Sequence, residues 1–556
     1  MSYLRKFSGL LFFISALAHA DCNVSNAASW SSCLGGTPSG GTISLIADIS
    51  CTGTSCCGPS QSALGQISGK SNITVLGNGH SISRIGLESV SCNALQISSS
   101  SNIKVSDLAF KEDANVLRCD INGSNCPTAS TIRADQSSQV TLQKVSVFDA
   151  PHYAVTYNGV NGITIDQSAF DNAGVLGVLA GPAVGNVYQV SANINITNSV
   201  FTNTGANALV LHATNTSHVT SNVFLNNHRE GKYRQCESEN KKFMCNGGQI
   251  LVYGVNDLNE KLNIFEVVDS LDTTIDHNII GDGYCRNCEQ DNPRDDLKSV
   301  WPIEVGKYTA LTNQSAVVKN LTITDNIIYN HAGSAVMKNS GSIADTLVIA
   351  NNTLSGLARI KTNSAGQTET VPGVVFYVPQ APNQPDRCTS AAMQVPGANL
   401  SRCTATSWGY SGQGNVLSLP PRLTHSGLAD WKVYRLGGAY HHEARYRNED
   451  PGYSLEWVFQ LPLRPNPKLA GYGIVYRCFS GTYPDDDFIT NLSQCENSGG
   501  KLDSVLGFSV NASDANATPV YRCRNGADHF VSYNAQCEGV NFEKLIGYSL
   551  PASYTP

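Results

Sequence analysis

A column of residues in the middle of the chain has the side-chain types that proton transfer and sugar stacking require. They close or open the segments Val155-Thr156-Tyr157, Val210-Leu211-His212, Leu251-Val252-Tyr253, Glu304-Val305-Gly306, Val336-Met337-Lys338 and Val375-Phe376-Tyr377. Strand side chains alternate. With Leu211, Val252, Val305 and Met337 turned inward, the outward column reads Tyr157, His212, Tyr253, Gly306, Lys338, Tyr377, and Glu304 stands on the column beside it. His212, Tyr253 and Lys338 can exchange protons, while Tyr157 and Tyr377 offer stacking faces. Two excursions interrupt the strand pattern near this stripe. The first, 227–247, is rich in cations and contributes His228, Arg229, Lys232 and Arg234. The second, 284–300, mixes Arg286, Arg294 and Lys298 with Glu289, Asp291, Asp295 and Asp296. Long excursions from a rigid scaffold carry function more often than core elements do.

These groups match one reaction better than others. Removing a proton beside a uronate carboxylate needs a base, a cation to hold the developing enolate, and an acid for the leaving oxygen. His212 or Tyr253 can serve as base or acid, and Lys338, Arg229 and Lys232 can neutralise the carboxylate. Tyr157, Glu304, Tyr377, His228, Lys232 and Arg234 are expected to bind the substrate. Glycoside hydrolysis instead needs two carboxyl groups roughly 5 to 9.5 Å apart, and only Glu304 is an obvious carboxylate on the stripe. Asp269, Asp282, Asp295 and Asp296 are the remaining candidates, so elimination ranks above hydrolysis. The competing account is structural: a solvated strand surface and a loop stapled by Cys236 and Cys245. No specific calcium or other metal motif is present; the Asp485-Asp486-Asp487 triplet reads as a solvated turn, so any cofactor is left unassigned.

The elements that must position the stripe are repeats. Short alternating segments recur as Asn72-Ile73-Thr74-Val75, Asn102-Ile103-Lys104-Val105, Gln139-Val140-Thr141-Leu142, Gly162-Ile163-Thr164-Ile165 and Asn193-Ile194-Asn195-Ile196, with later copies at 272–275, 320–323 and 346–349. None is long enough to bury a core alone; stacked coils bury the inward residues of each turn against the next. Asn198, Asn222, Asn278, Asn326 and Asn352 form a second series. They are expected to make an interior ladder in which each asparagine takes a left-handed corner conformation and bonds to the next coil. The predicted fold class is all-β, a right-handed parallel β-helix.

This repeat form resembles the secreted right-handed parallel β-helix proteins of the pectate-lyase-like superfamily, over about residues 40 to 380. That resemblance implies a polysaccharide partner but selects no reaction, and the Asn-Thr-Asp and Gly-His-Gly signatures of polygalacturonases are absent. A different repeat follows. Val433-Tyr434-Arg435, Val475-Tyr476-Arg477 and Val520-Tyr521-Arg522 recur at spacings of 42 and 45 residues. It is similar to a Tyr-Arg, Asp-His-Phe, Gly-Tyr module of secreted bacterial proteins, and three copies imply a pseudo-threefold β domain.

The expected organisation is therefore a signal peptide at 1–20, a β-helix at 21–408, a Gly/Ser/Pro-rich linker at 409–421 and a three-repeat domain at 422–556. Arg5 and Lys6 ahead of the apolar run 7–17 and the Ala18-His19-Ala20 site indicate export to an extracellular or periplasmic location. The 18 cysteines fall mostly in near pairs (22 with 33, 119 with 126, 236 with 245, 285 with 288, 388 with 403, 478 with 495, 523 with 537), which read as disulfide staples in an oxidising compartment. A net charge of −7 argues against nucleic acid as a partner, and 15% charged residues with 41% hydrophobic argue against disorder. No later segment is long and apolar enough to be read as a transmembrane helix. The overall expectation is a lyase or related enzyme acting on an acidic polysaccharide. The alternatives are a non-catalytic surface adhesin or glycan-binding protein, and a glycoside hydrolase.

Overall fold

The structure is a computed structural model that describes residues 21–53, 56–57, 61–86, 92–113, 130–181, 190–227, 247–259, 264–283, 300–307, 316–331, 336–338, 347–350, 352–362, 368–372, 376–377, 428–436, 442–445, 453–479, 487–497, 500–526 and 528–551. The expected signal peptide and linker lie outside them, as do Cys119, Cys126, Cys236, Cys245, Cys285, Cys288, Cys388 and Cys403.

Each short strand pairs in parallel with its equivalent one coil further along. The first face runs through Ser71–Leu76, Ser101–Lys111, Ser138–Phe148, Asn161–Asp166, Ser191–Thr197, Thr214–Thr220, Ser270–Asp276 and Val318–Thr324. The second includes Ala169–Asp171, Val200–Thr202, Val223–Leu225, Ile279–Gly283 and Ile327–His331. The third includes Ser130–Asp135, Tyr153–Asn158, Leu176–Ala180, Leu209–His212, Gly247–Asn259, Val300–Lys307 and Val336–Lys338. Ile73 stands opposite Ile103, then Val140, Ile163 and Ile194 follow in register, so the repeat read from the sequence is the repeat of the coils. The chain is a parallel β-helix followed by a smaller β domain. One helix, Ala27–Gly36, lids the first coil. Asn26 caps its start, and Lys70 Nζ donates to the carbonyls of Leu34, Gly35 and Thr37 at its end.

Inside the coils like stacks on like. Phe170, Phe201 and Phe224 are fully buried, with ring centroids 5.1 and 4.7 Å apart. Asn222, Asn278, Asn326 and Asn352 form the expected ladder: Asn278, Asn326 and Asn352 each accept on the side-chain oxygen from the backbone N–H and amide of the asparagine one coil back, at 2.9 to 3.0 Å. Two details differ from expectation. Asn198 is not a rung: its amide reaches Asp166, and Ser199 takes the ladder position, donating from its backbone to Asn222. The left-handed conformation falls on the preceding residue, at Asn198, Ser221, His277 and Asp325. Turning the corner one place early leaves the ladder amide buried, where backbone carbonyls of the preceding coil and the next asparagine satisfy it.

The C-terminal domain contains three three-stranded antiparallel units, built on Leu428–Leu436, Ile474–Phe479 and Thr518–Asn525. In each, the register slips between the Val and the Tyr of the repeated Val-Tyr-Arg, at Val433/Tyr434, Val475/Tyr476 and Val520/Tyr521. Val433, Val475 and Val520 meet in one core with Trp431, Leu506 and Ile546. The sequence-near disulfides Cys22–Cys33, Cys478–Cys495 and Cys523–Cys537 form. Cys51–Cys56 and Cys57–Cys92 add two that spacing did not assign. Phe530 is core, and its neighbour His529 faces Glu543 at 3.4 Å, so Asp528-His529-Phe530 is a packing element.

This domain packs against the second face of the β-helix. Val200, Val223 and Ile279 meet Ile474, Tyr476, Leu502 and Phe508 in a shared apolar cluster. Around it, Arg464 pairs with Asp149 at 2.5 Å and with buried Asp171 at 2.7 Å, and Tyr329 Oη accepts from the Val505 N–H at 3.0 Å. Among the described residues no helix is long and apolar enough to cross a membrane.

Candidate functional site

In-register parallel pairing sets side chains one coil apart directly above one another, about 4.8 Å along the stack. On the third face this brings His212 opposite Tyr253, on strands whose inward residues Leu211 and Val252 are fully buried. The two rings stack with centroids 4.2 Å apart and planes inclined by 27°. Both residues are half-buried. This is the pair the sequence placed together.

Two glycines make room for the site, and sequence reasoning missed both. Gly181 lies one coil before His212 with φ of +145°, and a Cβ there would sit 2.6 Å from the His212 Cβ. A Cβ on Gly248 would sit 2.7 Å from the Glu304 Cβ, and the Gly248 N–H donates to Glu304 Oε2 at 2.9 Å. Enclosure of the Glu304 carboxyl pushes its pKa up to about 7; the Gly248 hydrogen bond opposes that rise without cancelling it. Near neutrality the group is therefore divided between a hydrogen-bond donor and a carboxylate. It is set on the column beside His212 and Tyr253, opposite Leu251.

Beside these groups lies an outward apolar cluster. Val175, Leu176, Leu179, Ala206 and Val210 pack with the half-buried Tyr153, Leu251 and Tyr253. Its signal was present in the chain: 175–181 reads Val-Leu-Gly-Val-Leu-Ala-Gly, a continuous apolar run where a face open to water would alternate. Burial raises the Tyr153 pKa, and its ring lies against His152 with centroids 3.8 Å apart and planes tilted by 44°. Further towards the N-terminal end the same columns turn polar, with Arg133 held to Asp135 at 2.8 Å.

Other expected site residues are placed differently. Tyr157 is fully buried inside the coil, in register with Ala134 and Ala180 and not with His212. The small alanines above and below it leave space for a ring, and the resulting desolvation raises its pKa. Lys338 stands opposite Val305, one place from the Gly306 register that the stripe required, and Met337 stands opposite Glu304 in place of the inward column. Tyr377 stands opposite Met337 and so falls in the Glu304 column. A triplet alignment cannot detect a one-residue slip, and a slip of one exchanges the two strand faces. His228, Arg229, Lys232 and Arg234 lie outside the described residues, as do Asp295 and Asp296. Asp269 is engaged by Lys319 at 2.8 Å. Among the described residues no group of three or more His, Cys, Asp or Glu gathers as a metal site.

No family model matches this chain, and no curated protein is similar to it in sequence. Solved structures are similar in fold. An alginate lyase from Paenibacillus sp. str. FPU-7 is 14% identical, covering 60% of this chain and 95% of its own, with a TM-score of 0.36. The surface adhesin PfbA of Streptococcus pneumoniae is 12% identical, covering 60% and 83%, with a TM-score of 0.38. A pectate lyase from Paenibacillus sp. 0602 is 12% identical, covering 67% and 84%, with a TM-score of 0.33.

Proposed function

We propose that the protein is an exported polysaccharide-active enzyme that cleaves an acidic, uronic-acid polymer by β-elimination on the third face. The observation that carries this reading is the stacked His212–Tyr253 pair with Glu304 on the neighbouring column. In the reaction the base takes the proton beside the uronate carboxylate, and the electron pair delocalises into that carboxylate. The bond to the leaving oxygen then breaks as a double bond forms, and the acid protonates the departing oxygen. His212 and Tyr253 supply base and acid. Glu304, in the fraction that keeps its proton near pH 7, donates to the substrate carboxylate and stabilises the enolate, a role it shares with the expected cation Arg229. The disulfides fit an oxidising, extracellular or periplasmic setting.

The test is an ultraviolet screen for the conjugated double bond on a panel of uronic-acid polymers, with and without calcium. A rising signal that drops about 10²- to 10⁴-fold in both His212→Ala and Tyr253→Phe supports the reading. New reducing ends without the double bond would replace it with hydrolysis. Retention on a glycan column with no chemistry would replace it with adhesion.

A further inference from the structure

Where the C-terminal domain meets the second face, the contact is not closed along its whole length. A cavity of about 430 Å³ opens between them, within the roughly 300–1,000 Å³ usual for small-ligand sites. Its floor is the outward apolar column Val223, Ile279 and Ile327, and its far wall is Tyr476 and Leu502. On one rim stand Ser221, His277 and Asp325, the left-handed corner residues of three successive coils. Ser493 and Gln494 of the middle repeat unit form the other rim.

This cleft differs chemically from the third-face site. Among the described residues no Lys or Arg lines it, Asp325 contributes a negative charge, and His277 Nδ1 is hydrogen-bonded to Asp276 Oδ2 at 2.7 Å. An anionic ligand would meet a carboxylate without a lining lysine or arginine to neutralise it. The Ser221 and Ser493 hydroxyls on the two rims and the Gln494 amide can donate and accept, and the aliphatic floor suits the C–H face of a ring. We propose that this cleft binds a neutral sugar unit, distinct from the acidic polymer proposed for the third face. The site exists only because the two domains are docked: the floor belongs to one and the far rim to the other. Binding there would hold a neutral glycan while the third face works on another segment or another chain.

Calorimetric titration of the full-length mature protein with cellohexaose, mannohexaose and chitohexaose tests this, with a uronate hexamer as control. The expected result is saturable binding to at least one neutral hexamer. It should weaken about tenfold or more in Ser493→Trp, which blocks the mouth, and in His277→Ala. Both positions are exposed, so the variants should keep the parent's thermal midpoint. The same binding should persist in His212→Ala, which separates this site from the proposed catalytic one. No saturable binding to any neutral hexamer, binding unchanged in both cleft variants, or preference for the uronate hexamer would each overturn the proposal.

Discussion

The second and third faces of the β-helix both carry an outward apolar column, yet the two columns are surrounded by different chemistry. On the second face, Val223 and Ile279 meet the C-terminal domain, and beside the cleft several polar groups pair across the contact: Arg464 with Asp149 and Asp171, Tyr329 with the Val505 backbone. On the third face, Leu176, Leu179 and Val210 adjoin His212, Tyr253 and a Glu304 poised near neutrality. Burial raises the pKa of both carboxyls, but at Asp171 the Arg464 charge opposes that rise, whereas at Glu304 a backbone N–H does so. The same stacked scaffold thus gives one face that packs against a domain and one to which we assign proton transfer. What distinguishes them is the partner placed opposite each carboxylate.

Breaking the packed face should have the largest effect on stability. Arg464→Ala leaves Asp171, whose side chain is 1% exposed, without its cation, and should cost about 3 kcal/mol in urea unfolding. It should also speed proteolysis between the domains while sparing third-face chemistry. Asn278→Ala removes one rung from the amide ladder and strands its neighbours, at about 2 kcal/mol. Because the ladder supports both faces, it should lower stability without separating the domains. Tyr329→Phe leaves the Val505 N–H without its acceptor, at about 1.5 kcal/mol, and should loosen only the docked contact.

The smallest effect sharpens the comparison from the other side. Burial raises Glu304 from 4.5 to about 7, so the folded protein holds this proton more tightly than the unfolded chain does. The stability it contributes is complete below pH 4.5 and is lost as pH rises through 7. Glu304→Gln cannot ionise, so its stability relative to the parent should improve between pH 4 and pH 8 by on the order of 1 kcal/mol, after allowing for screening at a residue that is not fully buried. Thermal midpoints of the two proteins across that range check the sign. A parent whose stability does not fall relative to the variant would mean that Glu304 ionises as an ordinary carboxylate.

Much of the fold was legible because a coil repeats its solution. The alternating segments at 73, 103, 140, 163 and 194 align as read, and so does the ladder from Asn222 onward. The His212–Tyr253 pair was legible for the same reason, since both residues follow an inward aliphatic at the same place in successive coils. Tyr157 misled because an aromatic beside a valine and a threonine looks the same whether it points in or out; Ala134 and Ala180, 23 residues to either side, decide the matter. Arg84 and Glu112 form a buried pair at 2.6 Å across 28 residues that no local pattern marks. The doubled apolar residues Val223-Phe224, Ile279-Ile280 and Ile327-Ile328 were visible. They meant a sheet covered on both sides, which became evident only with the covering domain in place.

The sequence by itself determined what is periodic and local: strands of alternating burial, the amide ladder, the near-neighbour disulfides Cys478–Cys495 and Cys523–Cys537, and the three Val-Tyr-Arg units. The tertiary structure alone decided the register at Lys338, the inward turn of Tyr157, the room that Gly181 and Gly248 leave for His212 and Glu304, and the docking of the C-terminal domain. The physical reason is one of range. Periodicity is set by bonds within a coil and leaves its trace in consecutive residues. A register, a cavity or a shifted carboxyl is set by atoms from other coils or another domain, whose identity no neighbouring residue encodes.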